Sequence, residues 1–110
     1  MTYFGGGGGS GSCSMKTGKY TGDGLDNRNI DIGVNLSAKT YVWVVIKWSG
    51  VSKAVHRSTS EGADFALVFD AAGGSANTIQ AFTATGFQVG TDATVNTNGN
   101  NYRYMAFWVD

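Results

Sequence analysis

Few residues in this chain could do chemistry, and the only histidine is the natural starting point. His56 has Ser58 and Asp64 close behind it, the base, nucleophile and carboxylate types of an acyl-transfer triad. These are also common surface types, and no G-x-S-x-G elbow occurs to present a serine. His56 is therefore expected to be a strand or loop histidine that packs or faces water. Carboxylates gather once, as Asp23, Asp26 and Asp31 with Asn27 and Asn29 between them. Hard oxygen ligands at such short spacing suit calcium. The EF-hand pattern fails, however: Ile32 stands where glycine is required if Asn27 is position one, and no Glu follows at position twelve. An Asx-rich turn accounts for the same residues without an ion.

The remaining motifs are weaker. Gly6, Gly8 and Gly11 spell G-x-G-x-x-G inside a glycine run, with no strand before it and no helix after it, so a dinucleotide site is not expected. Asn35-Leu36-Ser37 is a glycosylation sequon that matters only in a secretory pathway. Cys13 is the sole cysteine, which excludes an intrachain disulfide and a cysteine-based zinc site. With no flanking base it reads as an inert thiol. No catalytic residue, cofactor or metal ligand is expected, and the protein reads as a non-enzyme.

Composition sets the class of the elements that carry these residues. The chain has 110 residues, eight Lys+Arg against eight Asp+Glu, and 15% charged residues, where an average globular domain has about 25%. A nucleic-acid surface needs clustered cations to displace counterions from phosphates, so no nucleic-acid partner is expected. No apolar run approaches the roughly 20 residues that span a bilayer. The N-terminus lacks the basic and apolar regions of a signal peptide, so no membrane partner is expected either. Seventeen glycines, no proline and 13% aromatics are the mark of a β-rich chain.

Short strands separated by turn residues follow from Met15 onward. Lys16–Thr21 is a first strand closed by the Asp23-Gly24 turn step. Asn29–Val34 alternates, with Ile30 and Ile32 on one face. Thr40–Trp48, TYVWVVIKW, is apolar on both faces and is expected to be a central strand covered on both. Lys53–Arg57 pairs back on it with Ala54 and His56 on one face and Val55 on the other. Asp64–Phe69, Thr78–Thr85 and Phe87–Val89 follow, separated by the loop 71–75 and by Gly86. Thr91–Gly99 is a polar loop, and Tyr102–Val109 is a second doubly covered strand. Ser58 and Glu61 form a capping box that starts at most one helical turn. Turn signals recur about every 8–12 residues, the spacing of an antiparallel sandwich or barrel. The expected fold is all-β, a small antiparallel jelly-roll-like sandwich of seven or eight strands. Its aromatics are needed mainly to fill the core, leaving one or two rings for a protein contact.

The domain divides into a Gly/Ser-rich arm, residues 1–14 (MTYFGGGGGSGSCS), and a sandwich, residues 15–110. The arm has maximal backbone entropy and few side chains to bury, so it is expected to become ordered only against a neighbouring molecule. Tyr3 and Phe4 then act as an apolar plug on a tether of Gly5, Gly6, Gly7, Gly8 and Gly9, and these residues are the candidate partner-binding site. The alternative is a Gly/Ser spacer of the kind used to join segments.

Three stretches also carry a family resemblance. KTGKYTGDGLDNRNIDIG, then YVWVVIK, then FTATGFQVGTDATVNTNGNNYRYMAFW resemble a recurrent β-rich module of tailed-bacteriophage virion proteins, over about Lys16 to Asp110. The closing run is the more specific part. The resemblance implies a jelly-roll or lectin-like sandwich with a structural or adsorption role on the phage particle, and it implies no catalytic set. Members of that family are often longer, and the Gly-rich arm is not part of the module. The resulting expectation is a capsid decoration or cement protein on the virion surface. It would be a homo-oligomer, taken as a trimer, whose arm docks on the major capsid protein or other virion proteins. The second expectation is a tail-tip, tail-fibre or head-fibre module. Such a module would bind a host-surface glycan or protein through the loops Gly73–Asn77 and Thr91–Asn101.

Overall fold

Side chains alternate between the two faces of a strand, so a chain of short alternating segments must stack two sheets to bury one face of each. The computed structural model describes residues 13–48, 50, 54–69 and 74–110, and of Trp48 the backbone only. Among the described residues there are nine strands: β1 (Cys13–Thr21), β2 (Arg28–Asp31), β3 (Tyr41–Trp48), β4 (Ala54–Ser58), β5 (Ala66–Val68), β6 (Gly74–Ser75), β7 (Ile79–Phe82), β8 (Gly86–Val89) and β9 (Asn101–Val109). They form two antiparallel sheets, one of six strands in the order β1-β9-β3-β4-β5-β6 and one of three in the order β2-β8-β7. The expected sandwich is therefore present, with one strand more than the upper expectation. The two-residue β6 falls at the end of the stretch read as loop. The arm residues Tyr3, Phe4 and Gly5 to Gly9 lie outside the described residues. Pairing already starts at Cys13, opposite Val109.

Three long strands make the frame. β9 pairs with β1 from Cys13↔Val109 to Thr21↔Asn101, and with β3 from Tyr41↔Val109 to Trp48↔Tyr102. Their inward residues Val42, Val44, Ile46, Tyr102, Tyr104 and Ala106 meet Ile30, Ile79, Phe87 and Val89 of the small sheet in one core. Tyr104 lies across Gly18, where a Cβ would stand 2.5 Å from its phenol oxygen. Side-chain hydrogen bonds tie the layers together at their margins. Lys16 Nζ donates to the Ile32 carbonyl at 2.6 Å, and Tyr20 Oη donates to the Val95 carbonyl at 2.7 Å.

Two expectations need correction. Among the described residues β3 and β9 are covered on one face, by the single further layer of three short strands. Their outer side chains include Tyr41 at 46% exposure and Met105 at 44%. The helical turn also sits elsewhere. Ala93–Asn96 is a single turn, α1, whose N-cap Asp92 accepts from the Thr94 N–H. At Ser58 the reciprocal pattern of a capping box does appear. Glu61 Oε1 accepts from the Ser58 N–H at 2.6 Å, and Ser58 Oγ from the Ser60 N–H at 3.1 Å. It closes a turn that no helix follows.

Candidate functional site

The structure gives the members of the possible triad separate partners. His56 Nδ1 accepts from Trp43 Nε1 at 3.0 Å, and the ring stacks on Phe69 with centroids 4.3 Å apart. Ser58 Oγ is engaged by the Ser60 N–H. The Asp64 carboxylate accepts from the Asn77 N–H at 3.0 Å and from Gln80 Nε2 at 3.2 Å. His56 thus belongs to an aromatic group, with its Nδ1 lone pair already used.

The carboxylates of the acidic stretch are likewise dispersed into local turns. Asp23 Oδ1 accepts from the Leu25 N–H, Asp26 Oδ1 from the Asn27 N–H, and Asp31 Oδ1 from the Gly33 N–H, at 2.8 to 2.9 Å. Among the described residues no three His, Cys, Asp or Glu side chains come together as metal ligands. The Leu25 N–H, helped by the Asn96 amide and the Arg28 guanidinium, holds the Asp23 carboxyl below the usual carboxylate range. In the sequon, Asn35 Oδ1 accepts from Ser37 Oγ at 2.5 Å, while Leu36 is buried. Cys13 is an exposed free thiol.

Two buried polar groups are structural hubs that composition did not reveal. Asn96 joins α1 to the segment after β1 through both ends of its amide. Arg57 reaches inward from β4, where its Nη1 donates to the carbonyls of Ala63 at 2.7 Å and Phe65 at 2.8 Å. Burial pushes the Arg57 guanidinium pKa down, and the charges of Glu61 and Asp64 oppose that shift. The bonds of Arg57 hold the 61–65 segment against the sandwich.

The outer face of the six-stranded sheet carries exposed apolar side chains among the described residues. Register places its side chains in rows across the strands. One row runs Met15, Phe107, Trp43, Ser58, the next Thr17, Met105, Val45, His56, Leu67, and a third Lys19, Arg103, Lys47, Ala54. Trp43 stacks on Phe107 with centroids 5.5 Å apart and meets His56 edge-on at 5.9 Å, so Phe107, Trp43, His56 and Phe69 form a continuous aromatic chain. Met15, Tyr41, Phe69 and Met105 are 59%, 46%, 42% and 44% exposed. Exposed apolar groups gathered on one face are a feature of surfaces that meet a partner.

Beside the apolar rows, an open groove of about 650 Å³ is lined by Thr17, Lys19, Val45, Lys47, Arg103 and Met105 together with the backbone side of Gly18 and Tyr104. The sequence reading passed over this groove. Its cations come from three strands, KTGKY, VIKW and NYRYM, and only the register shows that they share a row. No protein family, characterised protein or solved structure matches this chain.

Proposed function

We propose that this protein is a non-enzymatic structural component of a bacteriophage particle. In this reading it is a capsid decoration protein that docks on the major capsid protein and clusters there as a homo-oligomer, taken as a trimer. The observation that carries the reading is the set of exposed apolar side chains on the outer face of the six-stranded sheet, with Cys13 at the border of that face. Residues 1–12 lead into β1 at Cys13, which pairs with Val109, and Val109 pairs with Tyr41 at the border of that face. Cys13 thus shares a row with Val109 and Tyr41, next to the row of Met15, Phe107 and Trp43, and in this reading the arm and the face engage one lattice partner. Repetition of such contacts by symmetry raises avidity without any single strong contact. The virion resemblance of the three sequence stretches supports the same reading.

The test is the copy number of the protein in purified particles, measured by quantitative mass spectrometry against the major capsid protein. A simple fraction amounting to hundreds of copies is expected. A handful of copies would move the protein to the tail or a single vertex, and absence from the particle would overturn the reading.

A further inference from the structure

β1 lies at the edge of its sheet. It pairs with β9 on one side, and among the described residues no strand pairs with the other side. Hydrogen bonds in an antiparallel pair alternate with residue parity, so the ladder fixes which residues face that open side. The Thr59 N–H donates to the Val42 carbonyl, in register with Trp43↔Ser58, so the even residues of β3 bond β4 and its odd residues bond β9. The odd residues of β9 are thereby used, as in Val45↔Met105, which leaves its even residues for the even residues of β1, as in Lys16↔Ala106. The Gly22 N–H, which donates to the Asn100 carbonyl, continues the same parity. The N–H and C=O groups of Cys13, Met15, Thr17, Lys19 and Thr21 therefore point to the open edge. One of them is met from within the described residues, since the Thr21 carbonyl accepts from Arg28 Nη1. β1 has nine residues, whereas β6 at the far edge of the sheet has two and the outer strands β2 and β7 of the small sheet have four each. It carries neither proline nor a bulge, two devices that keep an edge from pairing. Lys16, a charge that could blunt the edge, is tied to the Ile32 carbonyl.

We infer that β1 pairs antiparallel with β1 of a second copy of this chain, across a two-fold axis at Thr17, and joins two six-stranded sheets into one. A row of open backbone groups is met by another extended strand. A second β1 is such a strand already held in shape by β9, so pairing orders little that was free. A glycine-rich segment such as residues 5–9 would instead lose the most backbone entropy. The strand also suits itself in charge. Two-fold pairing of the whole strand sets Cys13 opposite Thr21, Met15 opposite Lys19 and Thr17 opposite Thr17 of the second copy, with Lys16 opposite Gly18 on the inner face. No two charges of β1 then stand in direct opposition. Facing threonines are a favourable cross-strand pair, and the Lys19 methylene stem can lie along the exposed Met15 with its ammonium in water. A slip of two residues would oppose Lys16 to Lys16, a like-charge pair that destabilises a sheet. The inference goes beyond the capsid reading, because it needs no lattice and makes no use of the arm.

The experiment is sedimentation equilibrium of the full chain from micromolar to millimolar concentration, with Thr17→Pro as comparator. The Thr17 N–H faces the open edge, so proline there takes no bond from β9 and blocks the new pairing alone. An unchanged melting temperature verifies that the variant folds. An equilibrium between monomer and dimer is expected, with the Kd weakened at least tenfold in Thr17→Pro. A second readout reports the register and needs no proline. Opposed residues of a hydrogen-bonded pair have Cα atoms about 5.5 Å apart, within the span of a disulfide. Mild oxidation is expected to cross-link Cys13→Ser/Thr17→Cys into dimers, while the parent stays unlinked because Cys13 faces Thr21 of the second copy. The inference is overturned by a monomer at millimolar concentration, by a trimer as the smallest assembly, by a dimer that Thr17→Pro leaves intact, or by cross-linking through Cys13 as fast as through position 17.

Discussion

Asn96 offers the sharpest test of how the loops are held to the sandwich. Its side chain is fully buried. Oδ1 accepts from the Asp23 N–H at 3.0 Å and from Arg28 Nη1 at 3.2 Å, while Nδ2 donates to Asp23 Oδ1 at 3.1 Å and to the Leu25 carbonyl at 2.8 Å. Two donors and two acceptor sites are the full capacity of an amide, so truncation removes four bonds at once. A net hydrogen bond contributes about 0.5–1.5 kcal/mol. Leu25 and part of Arg28 can turn to water, which places the loss for Asn96→Ala in the lower half of the summed range, at about 3 kcal/mol.

Asn96→Asp adds a sign. In the parent chain the Asp23 carboxyl sits low, chiefly through the Leu25 N–H. Its contribution is therefore present above the unfolded value of about 3.9 and lost as pH falls through the folded value. In the variant two carboxylates face each other, which raises their folded values above the unfolded ones. The variant is then relatively most stable in acid and loses ground as pH rises through those raised values. Urea unfolding of parent, Asn96→Ala and Asn96→Asp at several pH values between 3 and 7 reads both effects. A loss under about 1 kcal/mol for Asn96→Ala, or a gap between parent and Asn96→Asp that does not widen with pH, would refute the reasoning.

Other perturbations follow from close contacts and burial. A Cβ on Gly86 would stand 2.1 Å from the Ile30 carbonyl oxygen, so Gly86→Ala should destabilise by about 3 kcal/mol or more in thermal unfolding. Gly62→Ala meets nothing within 4 Å and should be neutral or stabilising by about 0.4–1 kcal/mol; a similar loss at both sites would contradict the packing described. Arg57→Lys replaces a guanidinium, whose Nη1 reaches the Ala63 and Phe65 carbonyls and whose Nη2 reaches the Glu61 carbonyl, with one ammonium. It should lose about 2 kcal/mol and speed amide exchange in residues 61–65, whereas exchange unchanged there would detach Arg57 from that role.

The sandwich was legible because alternation marks half-buried strands. Ile30 and Ile32 are both buried as their spacing required, although β2 ends at Asp31 and Gly33 turns the chain with φ 77°. In β4, Val55 points inward and His56 outward as read. The run TYVWVVIKW misled in one respect. Apolar residues on both faces suggested two covering layers, yet Tyr41 is 46% exposed and Trp43 packs against His56 and Phe107 of its own sheet. Strand composition cannot separate those cases. α1 was missed although Asp92 is a good N-cap residue, because four residues carry no helical period. The cationic groove was not legible at all. Lys19, Lys47 and Arg103 are far apart in the chain, and only the β1-β9-β3 register makes them neighbours.

If the outer face of the six-stranded sheet docks the protein on a capsid lattice, as proposed, charges placed on that face will release it. Co-sedimentation with empty capsids compares the parent chain with Met15→Glu/Met105→Glu, in which two exposed apolar side chains become charged without touching the core. Each protein is first shown to unfold at the same temperature. The account predicts stoichiometric binding by the parent and at least a tenfold loss of bound protein for the variant. Equal loading of the two proteins would contradict it.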